Sequence, residues 1–301
     1  VHIVETLQSS SSDIRILWAS VFIRLTSYGL TNQILTLYLK SLNISESNIG
    51  LFMTLSLLGD SAISYNLTWY GDKIGRKNVM IIGTLLMMIS GIIFASPIDN
   101  FIILLFAAIV GVISPSGDET GPFKSVEEAS IAQLAPLDLR PEVYAIHGLL
   151  STMGSAFGSI VTGFMIDYLN RKQGWQLLTC YKSVFVGYTL LAFTKFILML
   201  YLSENCEVTY RSTHCLEQDI QERNTSNDEM RQDILNTSTW TGLSHQTQNI
   251  LSKLLVIFMI DSFGYGFMTS AWVVYYFKVS FGVTAFVLGI LYSIYLYFND
   301  I

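Results

Sequence analysis

Ionisable side chains inside or beside long apolar runs are the first candidates for chemistry in this chain. Five residues have this setting: Arg24, Asp60, Glu119, Glu127 and Asp261. A charge at membrane depth is costly, so it needs either a partner or a function. Carboxylates in such positions can carry protons or cations. The pattern therefore predicts a substrate or ion pathway through these residues.

Two of the apolar runs suggest more specific arrangements. Arg24 is followed at helical spacing by Tyr28 and Asn32, so the three polar groups share one helix face. This stripe either lines a cavity or has a structural or interfacial role. Asp261 is the better acidic candidate for a cavity. Lys195 is expected to be mainly structural, either extending to the membrane surface or pairing with a carboxylate.

The stretch from Ser114 to Phe123 contains two prolines and two glycines and must interrupt a helix. If the interruption lies inside a membrane span, it is tolerated only beside protein or a water-filled cavity. Glu119 and Glu127 then become candidates for proton or cation coupling, because burial favours the protonated form of a carboxyl group. The alternative is a span that ends near Ser114, followed by a cytosolic loop and an amphipathic helix.

The composition excludes several function classes. Of 301 residues, 51% are hydrophobic and 13% are charged, whereas soluble domains have about a quarter charged. The net charge of −6 and the lack of a sustained basic run exclude a nucleic-acid partner. Cys206, His214 and Cys215 lack zinc spacing, so no metal is expected. No phosphate-binding loop or catalytic pair is visible, so we expect no cofactor and no enzymatic activity.

Eight apolar segments are predicted to position the candidate residues. About 20 helical residues cross about 30 Å of hydrocarbon. The runs are continuously apolar instead of alternating, which disfavours a β-barrel. The segments are Leu17 to Leu39, Ile49 to Tyr70, Val79 to Ser96, one that begins at Phe101, Ile146 to Ile166, Ser183 to Leu202, Leu254 to Phe277 and Phe281 to Phe298.

The short loops predict the orientation of these segments. The loop from Gly71 to Asn78 contains three basic residues, whereas the next short loop contains only Asp99. Basic loops favour the cytosol, so this loop and the N-terminus are expected there. Arg171 and Lys172 fall on the outer side in this topology, against the same rule.

A polar stretch divides the chain into three predicted regions. Residues 1–202 form an N-terminal six-helix transmembrane bundle. Residues 203–249 are rich in polar and acidic residues that cannot bury a core, so they are predicted to form a cytosolic linker. Residues 250–301 begin a C-terminal transmembrane bundle. The chain is therefore expected to be a fragment of a longer protein.

The loop after the second segment carries the most specific motif, which reads Asp72, Lys73, Ile74, Gly75, Arg76, Lys77. It resembles the D-R-x-G-R-K core of the major facilitator superfamily signature at the same connection. Gly75 permits a tight turn, and Asp72 can cap a helix or pair with a basic neighbour. Arg76 and Lys77 can anchor at anionic headgroups. The alternative is a generic basic hairpin, and Thr68 replaces the leading glycine of the family motif.

The resemblance covers all eight segments and implies an all-α membrane protein with the major facilitator fold. The chain would hold the N-terminal six-helix bundle and the first two helices of the C-terminal bundle, truncated after about eight spans. The family's first, fourth and seventh spans line a central cavity. The resemblance implies a secondary active transporter of a small solute by alternating access, with proton coupling left open. The alternative is a membrane sensor or scaffold of the same fold that transports nothing.

The Ser114 to Phe123 stretch also resembles an S-P-x-G-x-E-x-G-P-F segment of an uncharacterised branch of the superfamily that includes fungal members. On that resemblance we expect a vacuolar membrane, with the plasma membrane as the alternative. Ser159 stands where the antiporter motif has a proline, so an antiporter is not implied. The expected partners are the lipid bilayer, a small-molecule solute and protons, with no obligate protein partner.

Overall fold

The elements that the computed structural model describes are all α-helices. The structure describes residues 10–111, 113, 122–137, 139–203, 206, 245–266, 270–284 and 286–291. The all-α fold predicted from the sequence is confirmed. The helices are α1 (Ser12–Ser41), α2 (Glu46–Ile74), α3 (Arg76–Ala95), α4 (Phe101–Val110), α5 (Pro122–Leu134), α6 (Arg140–Arg171), α7 (Leu177–Leu200), α8 (His245–Gly266) and α9 (Ser270–Phe281). Residues 286–291 are also helical.

The chain divides into two compact units. The first unit comprises Val1–Val208 and Ser270–Ile301, and it contains helices α1 to α7 together with α9 and residues 286–291. The second unit comprises Thr209–Thr269, and α8 is the helix described in it. Most of the predicted linker, residues 203–249, lies outside the described residues, and α8 begins within its last part at His245. The division into two bundles and a linker remains a prediction.

Several predicted spans correspond to single helices. By length and composition, α3, α6 and α7 could each cross a membrane, and α4 is a shorter apolar helix. Helices α1 and α2 have 30 and 29 residues, so they are also long enough for a span. The predicted seventh span covers parts of α8 and α9, and residues 267–269 between them lie outside the described part. Of the predicted eighth span, residues 281–284 and 286–291 are described.

The predicted fourth span is divided between α4 and α5. Helix α4 ends at Val110 and α5 begins at Pro122, while residues 112 and 114–121 lie outside the described residues. One face of α5 is buried, since Phe123, Val126, Glu127, Ser130 and Ile131 are all buried, whereas Lys124 and Ser125 are exposed. The interrupted span, and the cytosolic loop followed by an amphipathic helix, both remain predictions for this segment.

Helices α1 and α6 approach each other closely through small residues. A Cβ atom built on Gly158 would overlap the carbonyl oxygen of Thr26, and one on Gly154 would lie 2.6 Å from the carbonyl oxygen of Phe22. Thr162 Oγ1 donates a hydrogen bond to the Leu30 carbonyl at 3.1 Å. In lipid, where the hydrophobic effect between helices is weak, such backbone approach and hydrogen bonding drive association. The interface therefore fixes the rotation of α1 within the bundle.

Aromatic stacking connects α1 with α3 and α7. The Tyr38 ring centroid lies 5.2 Å from that of Phe185, and the Phe94 centroid lies 4.8 Å from that of Phe185. Tyr38 also donates a hydrogen bond from its hydroxyl group to the Phe94 carbonyl oxygen at 3.4 Å. These rings fill the bundle at the end of α1 that is remote from Ser12.

We expect Gly158→Ala to lower the thermal unfolding midpoint of the detergent-solubilised chain. The added methyl group must push α6 away from the Thr26 carbonyl, and overpacking of this kind costs about 1–3 kcal/mol. Gly148→Ala is the matched control on the same helix, because nothing lies within 4 Å of a Cβ atom there. Equal midpoints for the two variants would show that α1 and α6 do not pack through this face.

Candidate functional site

A cluster of buried charged groups lies between α1, α5 and α7. Glu127 and Lys195 are fully buried, and Arg24 is 8% exposed. We call these residues, together with Ser20 and Phe123, the Glu127 cluster. Arg24 and Ser20 lie on α1, Glu127 and Phe123 on α5, and Lys195 on α7. The cluster thus joins three helices through side chains that an apolar bundle would normally exclude.

Both oxygens of the Glu127 carboxylate accept hydrogen bonds. Arg24 Nη2 donates to Oε2 at 2.7 Å, and Lys195 Nζ donates to Oε1 at 3.2 Å. Ser20 Oγ also donates to Oε1 at 2.9 Å. Hydrogen bonds between ionised groups are stronger than neutral ones. The carboxylate is therefore the common acceptor that holds side chains of α1 and α7 against α5.

An aromatic ring lies against the two cations of the cluster. Lys195 Nζ is 3.8 Å from the centroid of the Phe123 ring, and Arg24 Cζ is 5.8 Å from it. The negative face of an aromatic ring attracts cations, most strongly where water is absent. His147 of α6 is also buried and lies close enough to Glu127 for an electrostatic interaction. The surroundings of the carboxylate are therefore mainly cationic or aromatic.

This environment corrects one expectation about Glu127. The sequence suggested that burial would favour the protonated carboxyl group, so that Glu127 could load and release a proton. In the structure, two cations contact the carboxylate and stabilise its ionised form instead. Proton uptake by Glu127 therefore requires that these contacts weaken, as they can when the helices move apart.

The structure brings Arg24 and Glu127 together. Asp60 is buried on α2, where Ser64 Oγ donates to its Oδ1 at 3.4 Å. Asp261 lies on α8 in the second unit, and its side chain is exposed there. Glu119 lies outside the described residues. Of the five predicted pathway residues, Arg24 and Glu127 are therefore the two for which the structure describes a shared site.

Lys195 and Ser20 are members of the cluster that the sequence analysis did not select. Of the two roles considered for Lys195, pairing with a carboxylate is the one observed, because a fully buried lysine does not extend to the membrane surface. Its signal was a lysine within an apolar run of the sixth predicted span. Ser20 gave no signal, since serines are common in membrane helices and its partner is 107 residues away along the chain.

The motif loop at the junction of α2 and α3 is also connected to α5. Gly75 has a φ of 98°, which favours glycine, and it allows α3 to start directly after α2. Arg76 Nη1 donates to the Ala129 carbonyl at 3.0 Å and to Gln133 Oε1 at 2.9 Å. Lys77 is half-buried, and the side chain of Asp72 lies outside the described part. The arginine therefore contacts the helix that carries Glu127, two and six residues further along.

The cluster has the groups to bind an ion or a charged solute. Two cations each lie within hydrogen-bond distance of one carboxylate, so binding of a proton, a cation or an anion would change the balance of charge among the three groups. Within the described ranges, no group of three or more His, Cys, Asp or Glu side chains could hold a metal ion. The chemistry available to the described cluster is therefore ion exchange and charge recognition.

Comparison with known proteins agrees with this architecture. Residues 17–299 match the family model described as Major Facilitator Superfamily. The chain is 50% identical over 292 residues to an uncharacterised membrane protein of Saccharomyces cerevisiae, which covers 95% of this chain and 65% of that protein. It is 26% identical over 161 residues to the quinolone resistance protein NorA of Staphylococcus aureus, which covers 54% of this chain and 40% of NorA.

A solved structure shares the fold. The crystal structure of a D-xylose-proton symporter superposes with a TM-score of 0.66 at 16% sequence identity, over 96% of this chain and 67% of the symporter. At this identity the likeness shows the fold alone. The chain spans slightly less than two thirds of the length of its yeast relative.

We expect Glu127→Gln to lower the thermal unfolding midpoint more than the double replacement Glu127→Gln with Lys195→Gln. The single variant leaves two buried cations without the carboxylate they contact, whereas the double variant also removes one of those cations. Unfolding of the wild type, both single variants and the double variant in one detergent gives an interaction energy, expected to be about 0.5–3 kcal/mol. If the effects of the two single replacements simply add in the double variant, Glu127 and Lys195 do not interact through their charges.

Proposed function

Because the chain belongs to the major facilitator superfamily, we propose that it acts as a secondary active transporter that moves a small solute by alternating access. We further propose that Glu127 couples this movement to protons. The observation that carries the proposal is the contact of one fully buried carboxylate with cations on two other helices. Such groups are costly at membrane depth and point to a pathway.

A proton on Glu127 would change the forces between the helices. Protonation removes the negative charge that Arg24 and Lys195 contact, so the links from α5 to α1 and α7 weaken. Loss of the proton restores them. A conformation that separates Glu127 from the two cations would therefore make proton binding easier, whereas the conformation with both contacts favours the ionised state. This difference is what alternating access needs to couple proton binding to helix movement.

The motif loop supports the same proposal. Arg76 holds the later part of α5 through Ala129 and Gln133, and Tyr144 of α6 donates a hydrogen bond to the Glu128 carbonyl at 2.7 Å. Movement of α5 at Glu127 would therefore be transmitted to the junction of α2 and α3. We propose that Asp72, Gly75, Arg76 and Lys77 act as the conformational motif loop.

The remaining candidates stay as proposed members of the solute or ion pathway. These are Asp60, Glu119 and Asp261. The NorA relative is named for quinolone resistance and the structural neighbour for D-xylose, so their names point to no single substrate class. The solute is therefore proposed only as a small molecule.

We propose a cytosolic N-terminus and a vacuolar membrane, with the plasma membrane as the alternative. The basic motif loop supports the orientation, and the resemblance to fungal proteins supports the membrane. In sealed right-side-out vesicles, we expect Lys77→Cys to resist an impermeant maleimide and to react after the membrane is opened, relative to the parent chain. Labelling before the membrane is opened would show that this loop faces outward and that the proposed topology is wrong. Microscopy of the tagged chain in yeast decides between the two membranes.

We expect Glu127→Gln to abolish solute-driven proton movement in proteoliposomes. The assay adds sugars, amino acids and small carboxylates outside vesicles that contain a pH-sensitive dye, with the 301-residue chain in the membrane. A neutral side chain at this position cannot exchange a proton, so the dye signal should fall to that of protein-free vesicles. Exchange of labelled for unlabelled solute across the membrane should continue, because exchange requires no net proton transfer.

Glu128→Gln is the matched control, since it removes the neighbouring carboxylate, which is not a partner of Arg24 or Lys195 in the cluster. It should keep the wild-type dye signal. Wild-type uptake that ignores the pH gradient would refute the coupling role of Glu127. If no solute in the panel moves at all, the sensor or scaffold alternative replaces transport.

A further inference from the structure

A cavity of about 160 Å³ lies in the first unit, at the end of α1 and α6 remote from the motif loop. It is bounded by α1, α6, α7, α9 and the residues that follow α9. Its polar lining consists of Gln33, Asp167, Asn170, Arg171, Tyr181, Lys278 and Thr284. Ile34, Leu37 and Leu288 contribute apolar walls. We call this space the Gln33 cavity. It is separate from the Glu127 cluster, with which it shares no residue.

Gln33 is a buried residue whose side-chain amide nitrogen is not hydrogen-bonded within the part of the chain that the structure describes. The residue is 4% exposed, and its amide nitrogen Nε2 has no hydrogen-bond partner among the described residues. A buried amide without a partner is costly, and native structures rarely retain one without a reason. Because Gln33 lines the cavity, a ligand inside it could accept this hydrogen bond.

The charges around the cavity favour an anionic ligand. Arg171 and Lys278 bring two positive charges, whereas Asp167 brings one negative charge. Asp167 is already engaged, because its Oδ2 accepts a hydrogen bond from the backbone N–H of Phe286 at 3.2 Å. Lys278 Nζ donates to the Val283 carbonyl at 3.0 Å, which holds the ammonium group at the rim. The described lining is therefore net positive and offers an unsatisfied amide donor.

The size of the cavity limits what it can hold. An apolar protein cavity of about 150 Å³ accommodates benzene, so a space of about 160 Å³ suits a ring or short chain with one polar group. The apolar walls fit the hydrocarbon part, while Gln33 and the two cations fit the polar part.

We propose that the Gln33 cavity binds a small organic carboxylate of about the size of benzoate. Gln33 donates a hydrogen bond to the carboxylate, and Arg171 and Lys278 supply the positive potential. The inference rests on the proposed transport function only in that the cavity would be a subsite on the solute's path. The binding itself requires no transport.

Equilibrium binding of radiolabelled benzoate to the purified chain in lipid nanodiscs at pH 7.4 tests the proposal. Benzamide has the same number of non-hydrogen atoms but no charge, so it should compete at least about tenfold more weakly than unlabelled benzoate. Gln33→Leu and Arg171→Gln should each weaken benzoate binding by about tenfold or more, because each removes one interaction with the carboxylate.

Lys172→Gln is the matched control for Arg171→Gln. It removes the same charge from the next residue, whose ammonium group lies 5.5 Å from the centroid of the Tyr168 ring and does not line the cavity. This control should bind benzoate as the wild type does. Because Arg171 is exposed, its variant retains the buried contacts and tests the site even if Gln33→Leu fails to fold.

Three results would overturn the proposal: no saturable benzoate binding, equal competition by benzamide, or unchanged affinity in Arg171→Gln. None of these results depends on proton coupling at Glu127. A chain that transports solute in proteoliposomes but fails these binding tests would retain the proposed function and lose the carboxylate site. A chain that binds benzoate but moves no solute would retain the carboxylate site and lose the proposed transport function.

Discussion

The Glu127 carboxylate accepts hydrogen bonds from side chains of two other helices, and the charged interior of the first unit depends on this interaction. Removing two cations and a carboxylate from water is expensive, and only mutual pairing with good geometry offsets that cost. The pairing therefore constrains α1, α5 and α7 together. None of the three can rotate about its axis without separating a buried charge from its partner.

Helix α5 is also held by hydrogen bonds from α3 and α6 to its main chain. Arg76 and Tyr144 bind carbonyl oxygens of α5 from α3 and α6. The Ala129 and Glu128 acceptors are main-chain carbonyls, so these two contacts depend on the path of α5, whereas the further bond from Arg76 to Gln133 depends on a side chain. Helix α5 thus connects the motif loop to the charged cluster.

Helix α1 connects the cluster to the Gln33 cavity. Arg24 and Gln33 are nine residues apart on this continuous helix, which corresponds to about 14 Å along its axis. The close packing of Gly154 and Gly158 against α1 holds α1 and α6 together. A change at either site would therefore be transmitted along α1, and a solute at the Gln33 cavity and a proton at Glu127 could influence each other through it.

The sequence alone determined that the chain is helical and belongs in lipid, because long apolar runs carry that information without any knowledge of their neighbours. It also identified the motif loop, and it selected Arg24 and Glu127, since a charge in an apolar run is conspicuous wherever it points. The tertiary structure alone decided that Lys195 pairs with Glu127 and that Gln33 lines a cavity, where its amide nitrogen has no hydrogen-bond partner among the described residues. Position along the chain determines how deep in the membrane a side chain lies. The rotation of each helix about its axis determines which other side chains it contacts. That rotation is set by packing between residues distant in sequence, as where Gly158 of α6 lies against Thr26 of α1.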